Sequence, residues 1–304
     1  MPDIEESPGT NSKAPSKLTV YPASIVKNHG ANDVGIYFPD AYIPSGTLDL
    51  LVYFHGLPTP CGGSNSDTIR DIWRSSTFPL REMVNKSKKN VVLVAPRLNL
   101  DGGLKLDMGA DDFLSKVVGF IAARVTKDPF KWHGAEPTDD QKSDPVMHIR
   151  NLVLAAHSGG GSPMLKMAQE LKASKLAKVR ECWGFDSMYG SPSAWVDWAA
   201  AGGKYFLFWT AEGANDSKKY GSNVTTMRGI LAKANGGAGS NATKDPDASR
   251  ASLAAPNVVI TYAPRPTDAA KGFMPPGGGR TFKSSTENHC DVPTTYWGDM
   301  MGSF

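Results

Sequence analysis

Apolar residues gather in short, near-continuous runs at Leu48–Phe54, Asn90–Pro96, Asn151–Ala156, Val179–Phe185, Tyr205–Thr210 and Asn257–Tyr262. A strand covered on both faces reads this way, because neither side is solvated. Between the runs the spacing changes. Phe113, Val117, Phe120, Ile121 and Val125 recur at helical intervals, which predicts a helix over Ala110–Val125. Pro163 to about Lys175 repeats that pattern, with proline in the first turn, where its missing N–H does no harm. Asp67 caps a helical region reaching Ser87, and Pro79 should break it. Trp195–Ala201 and Tyr296–Met301 predict shorter helices, and Leu18–Phe38 alternates weakly, as one or two edge strands do. Strands alternating with helices predict an α/β fold, with a mostly parallel sheet covered by helices on both faces.

The remaining stretches are polar. Residues 1–17 are Pro- and Ser-rich and read as a disordered N-terminal tail, leaving 18–304 as one domain. Lys127–Arg150, with prolines at 129, 137 and 145, reads as an insertion. Two further loops, Gly236–Pro256 and Pro264–Asn288, exceed the usual connection length, which marks functional or disordered segments. Gly272–Gly279 within the second reads as a mobile flap or a disordered loop.

Composition narrows the classes. Of 304 residues, 40% are hydrophobic and 21% charged, which excludes wholesale disorder. A net charge of +3 is too small for a nucleic-acid binder. No run approaches the ~18 apolar residues of a membrane span. Met1–Lys17 lacks the apolar centre of a secretory signal, so the expected location is cytoplasmic, with a mature secreted chain as the alternative. Cys61, Cys182 and Cys290 are too few for a disulfide framework or a zinc ribbon. They allow at most one bridge, and whether Cys61 pairs with Cys182 or Cys290 stays open. Asp101, Asp107, Asp111 and Asp112 lack the spacing of an EF-hand loop and read as a solvated helix start. No metal or cofactor is expected, and the oligomeric state is not fixed.

The chemistry concentrates in Leu152-Val-Leu-Ala-Ala-His-Ser-Gly-Gly-Gly-Ser162. A buried strand ends at a serine, followed by glycines and a helix. A nucleophile elbow needs this context: the serine sits in a tight turn, so its neighbours must be small. Gly160 stands two residues after Ser158, and Ala156 replaces the usual glycine two residues before it. The segment matches neither a P-loop nor a dinucleotide fingerprint. A plain Gly-rich turn is the bland alternative.

On Ala156-His157-Ser158-Gly159-Gly160, on His55-Gly56 after an early strand, on the element order and on a late histidine, residues 35–304 resemble the α/β-hydrolase superfamily, with its serine esterases and lipases. The resemblance implies the chain order nucleophile, acid, histidine. Only His289 follows Ser158, in a polar loop Glu287–Pro293 ahead of the last helix. Asp186, at a strand end, is the first candidate acid, with Asp216 and Glu212 after the next strand as alternatives. The oxyanion would be held by the N–H groups of Gly159 and of Leu57 beside Gly56, since Pro58 and Pro60 have none to give. His55 is expected to brace that loop, and His157 to point away from the serine hydroxyl. Trp183, Phe185, Tyr189, Trp195 and Trp198 read as core, with the wall of an acyl pocket as the alternative. The expected function is a serine hydrolase of small carboxylic esters acting through Ser158, His289 and Asp186. An amidase or peptidase with the same groups, or a binding protein on the same scaffold, is the alternative.

Overall fold

The apolar runs pair into one sheet. The computed structural model describes residues 4–6, 18–22, 33–39, 41–42, 47–57, 61, 69, 79–100, 104–125, 149–173, 178–189, 191–209, 226, 229–230, 253–255, 257–262 and 285–304. Ten strands occur among them: β1 Ile4–Glu6, β2 Leu18–Pro22, β3 Asp33–Tyr37, β4 Leu48–Phe54, β5 Val92–Pro96, β6 Ile149–His157, β7 Val179–Phe185, β8 Lys204–Trp209, β9 Leu253–Ala255 and β10 Val258–Tyr262. Their order across the sheet is β1-β2-β3-β5-β4-β6-β7-β8-β10-β9. From β5 to β10 every neighbouring pair is parallel. β1, β2 and β3 join antiparallel at one edge, and β9 at the other.

Five helices cover the sheet among the described residues: α1 Leu80–Ser87, α2 Ala110–Val125, α3 Gly161–Ala173, α4 Pro192–Ala200 and α5 Ser285–Ser303. Two buried clusters lie on opposite faces. Leu50, Val52, Leu152, Leu154 and Ala156 pack with Phe113, Met164 and Trp195 of α2, α3 and α4. Leu51, Tyr53, Val153 and Ala155 pack with Leu80 and Val84 of α1 and with Tyr296 and Trp297 of α5. The two-residue period of β4 and β6 feeds both faces with apolar side chains, which is why their sequences run continuously apolar.

The far end of the sheet is pinned by charge. Asp49, buried on β4, takes a two-pronged hydrogen bond from Arg150 (Nε at 3.0 Å, Nη2 at 2.6 Å) and a third from Asn151 Nδ2 at 2.8 Å. These partners sit near the start of β4 and β6. The strand ends that matter chemically lie at the opposite edge.

Several expectations change. Residues 4–6, read as part of a tail, form β1 and pair with β2. An Ile-Glu-Glu run carries almost no apolar signal, yet a short charged strand is well suited to a sheet edge. β2 and β3 are therefore internal. β9 falls in the long Gly236–Pro256 stretch, where one leucine and two alanines gave no pattern. α4 starts earlier than Trp195: Pro192 occupies the first turn and Ser191 Oγ accepts from Ala194 N at 3.4 Å. α1 begins immediately after Pro79. The largest change is α5, which already contains His289 and carries Pro293 in its interior. The insertion around 127–148, the flap at 272–279, Glu212 and Asp216 lie outside the described residues.

Candidate active site

Five candidate residues, Gly56, Leu57, Ser158, Gly159 and Asp186, follow the carboxyl ends of parallel strands, where open α/β sheets gather their ligands. β6 ends at His157, in extended backbone (φ −118°, ψ 142°), and Ser158 then turns into the left-handed region at φ +52°. A short 3-10 turn, Ser158–Gly160, leads into α3. Among the described residues, Ser158, Asp186 and Lys88 are the non-glycine residues with positive φ. Lys88 closes the C-terminus of α1. The other two end adjacent strands. Each such conformation costs on the order of 1–3 kcal/mol and persists only where its surroundings enforce it.

Close packing enforces the serine turn. A Cβ on Gly160 would overlap the Phe54 carbonyl oxygen and lie 2.8 Å from that of His55. A Cβ on Gly56 would fall 2.5 Å from Ser158 Cβ and 3.1 Å from its Oγ. The end of β4 thus presses directly on the serine turn. Ala156 needs no glycine, because it is still regular strand, paired with Phe54 and Gly184 and facing the α2–α4 cluster.

Asp186 ends β7 at φ +48°, its N–H donating to Phe208 O at 2.6 Å. Its carboxylate accepts from His289 Nδ1 at 2.6 Å, and both side chains are nearly buried. His289 therefore lies on α5 and not in a loop. Its ring packs tilted against that of His157, with centroids 4.5 Å apart. Ser158 Oγ lies 3.5 Å from the Tyr189 hydroxyl, and the loop carrying Tyr189 is tied to α3 by Ser162 Oγ, which donates to its carbonyl at 2.9 Å.

Two buried histidines flank this arrangement. His55 Nδ1 donates to Gly56 O at 2.6 Å, and its Nε2 accepts from Leu98 N at 2.9 Å. Burial, aided by the nearby Arg97 cation, lowers its pKa to about 4, so the ring is neutral. His157 Nε2 donates to the His289 carbonyl at 2.9 Å. Burial, then the neighbouring His289 ring, holds its pKa well below the ordinary value.

Cys61 and Cys290 form a disulfide, leaving Cys182 as a buried thiol. The bridge ties the loop after β4 to the residue beside His289. The sequence alone left this pairing open. Cys182 is locked in the middle of β7, whereas Cys61 and Cys290 each neighbour a segment already singled out for chemistry. The His157 contact was not legible, because it depends on α5 extending back through 289. Leu57, three residues beyond the end of β4, is 45% exposed. The aromatic residues divide rather than form one wall. Trp183 and Phe185 face α5, whereas Trp195 and Trp198 lie on the opposite face. Asp111 and Asp112 are exposed in the first turn of α2, Asp107 accepts from Asn99 at 2.8 Å, and Glu170 Oε2 caps Ala110 N at 2.8 Å.

A mostly parallel sheet in this strand order, with a left-handed serine between β6 and α3, is an α/β-hydrolase-like fold. No protein-family model and no curated protein sequence matches the chain. Solved structures similar to it include one designated FAE, at 16% identity, covering 98% of this chain and 94% of that one, TM-score 0.45. A truncated carbohydrate esterase from gut microbiota is similar at 9% identity, covering 98% of both chains, TM-score 0.46. A hyperthermophilic esterase from the archaeon Pyrobaculum calidifontis is similar at 11% identity over 70% of this chain and 66% of that one, TM-score 0.33.

Proposed function

We propose that the protein is a serine hydrolase of small carboxylic esters. The observation that carries the reading is the 2.6 Å bond from His289 Nδ1 to Asp186, made by a histidine packed against the residue next to a left-handed serine. An ionised carboxylate only accepts, so Nδ1 holds the proton and Nε2 is the basic nitrogen. Nε2 takes the Ser158 hydroxyl proton as Oγ bonds to the ester carbonyl carbon. The carbonyl electrons move to oxygen, and the N–H groups of Gly159 and Leu57 hold that oxyanion. Collapse expels the alcohol, which takes the proton from Nε2, and leaves an acyl group on Ser158. Water, deprotonated by the same nitrogen, releases the acid. The Asp186 carboxylate fixes the tautomer and stabilises the imidazolium.

Leu57, an exposed apolar side chain beside the proposed oxyanion donor, offers an apolar contact for a substrate. The Cys61–Cys290 bridge favours an oxidising compartment, which supports the secreted alternative over a cytoplasmic location. The test is steady-state hydrolysis of matched esters and amides by wild type, Ser158→Ala and His289→Ala. Turnover of esters by wild type, abolished in both variants, is the expected result. Unchanged hydrolysis by Ser158→Ala sinks the proposal. Tight ligand binding without turnover, unaffected by Ser158→Ala, would instead mark a binding protein.

A further inference from the structure

α5 contains a proline at 293, four residues after His289. In a helix the N–H of residue 293 would bond the carbonyl of 289, and proline has no N–H to give. The carbonyl of the base-bearing residue is thereby released from the helical ladder. It accepts instead from His157 Nε2 at 2.9 Å, across 132 residues of sequence. The reason His157 reaches it lies in strand periodicity. Leu152, Leu154 and Ala156 face α2–α4, so Val153, Ala155 and His157 face α5. The last strand residue before the serine points at the helix carrying the base.

We propose that His157 is a positioning residue for His289, its Nε2–H replacing the helical donor that Pro293 removes and fixing the base relative to Ser158. The inference deepens the hydrolase reading and rests on it for its kinetic tests. His157 is covalently joined to Ser158, so this one hydrogen bond ties nucleophile and base to each other directly. Asp186 orients the ring of His289 from its Nδ1 side, and His157 holds its backbone. Ring contact at 4.5 Å adds a second constraint between the same two residues. Burial keeps His157 neutral, which suits a donor that must not compete for the proton being shuttled.

The experiment is a double-mutant cycle between 157 and 293, read as kcat and KM on 4-nitrophenyl acetate. His157→Leu removes the donor and is expected to lower kcat by on the order of tenfold to a hundredfold, with KM within about twofold. His157→Gln places an amide N–H near the same point and should recover most of kcat. Pro293→Ala restores a backbone N–H to the His289 carbonyl, so His157→Leu should cost much less in that background. Equal losses in both backgrounds, or an unchanged kcat in His157→Leu, overturns the proposal. A tautomer measurement decides it without turnover. Imidazole nitrogen spectra of the folded wild type should show His157 protonated at Nε2 with a slowly exchanging proton, and protonation at Nδ1 alone overturns it. Should wild type hydrolyse no ester while that proton is present, the hydrolase reading fails and the structural tie stands.

Discussion

At the residue scale, the candidate chemistry hangs on two backbone conformations and one short hydrogen bond. Ser158 and Asp186 each adopt a left-handed φ at the end of adjacent strands, and Asp186 then meets His289 Nδ1. Asp186→Asn keeps the shape but donates where the carboxylate accepted, so His289 is driven to the other tautomer. The expected loss in kcat is on the order of 10⁴-fold, with folding intact. Steady-state kinetics check it, and near wild-type activity would move the acid role to Glu212 or Asp216. Gly160 is a steric requirement. Gly160→Ala sets a Cβ against the Phe54 and His55 carbonyl oxygens, both backbone atoms with little room to move. A loss of about 2–3 kcal/mol is expected, read from urea unfolding midpoints. An unshifted midpoint would show that the turn relaxes freely.

At the element scale, three strand-to-loop junctions, after β4, β6 and β7, and one helix build the site, and a covalent bond links the first junction to the helix. The Cys61–Cys290 bridge joins residues 229 apart in sequence. Closing so long a loop is worth about 5 kcal/mol by the chain-entropy argument, before any native-state strain. Cys61→Ser should therefore lower the melting midpoint. It should also lower kcat, because Cys290 adjoins His289 and the loop carries Leu57. Calorimetry and ester kinetics, with and without a reducing agent, check both. A reduced protein that melts and turns over like the oxidised one would contradict this. The elements differ in how readily their sequence shows them. Leu48–Phe54 and Asn151–Ala156 were plain, because strands buried on both faces carry unbroken apolar runs. Ile4–Glu6 and Leu253–Ala255 were not, because edge strands need no such run. The polar start of α5 resembled a loop, since Glu287, Asn288, Asp291 and Pro293 outweigh its few apolar positions. Its folding as helix depends on the sheet face, through Val292, Tyr296 and Trp297. Ser158, His289 and Asp186 were still found as candidates, since strand ends and chain order locate them without the helix boundary.

At the scale of the whole molecule, the site is housed in neutral, buried imidazoles that set an acid limit. His55 and His157 both have pKa values pushed below the ordinary 6.5, the former to about 4. In the unfolded chain both would take up protons below about pH 6.5. The unfolded state then binds more protons, so stability falls as pH falls. It is fully present above pH 6.5, and His55 alone removes about 3 kcal/mol of it by pH 4. Urea midpoints measured from pH 7.5 down to pH 4 should decline steadily through this window. A flat profile between pH 6.5 and 4.5 would mean that these rings are solvated. The parallel strands of the sheet follow from local sequence. The pairing of Cys61 with Cys290 and the tie from His157 to His289 join residues more than a hundred positions apart, which no local pattern records.

The proposed chemistry requires Ser158 to be an activated nucleophile. Intact-mass analysis after exposure to a fluorophosphonate tests it most directly, since such a reagent bonds only to a hydroxyl that a neighbouring base deprotonates. One stoichiometric adduct is expected on folded wild type, and none on Ser158→Ala or His289→Ala. A folded wild-type protein that stays unmodified, or a Ser158→Ala variant that is still modified, would contradict the account.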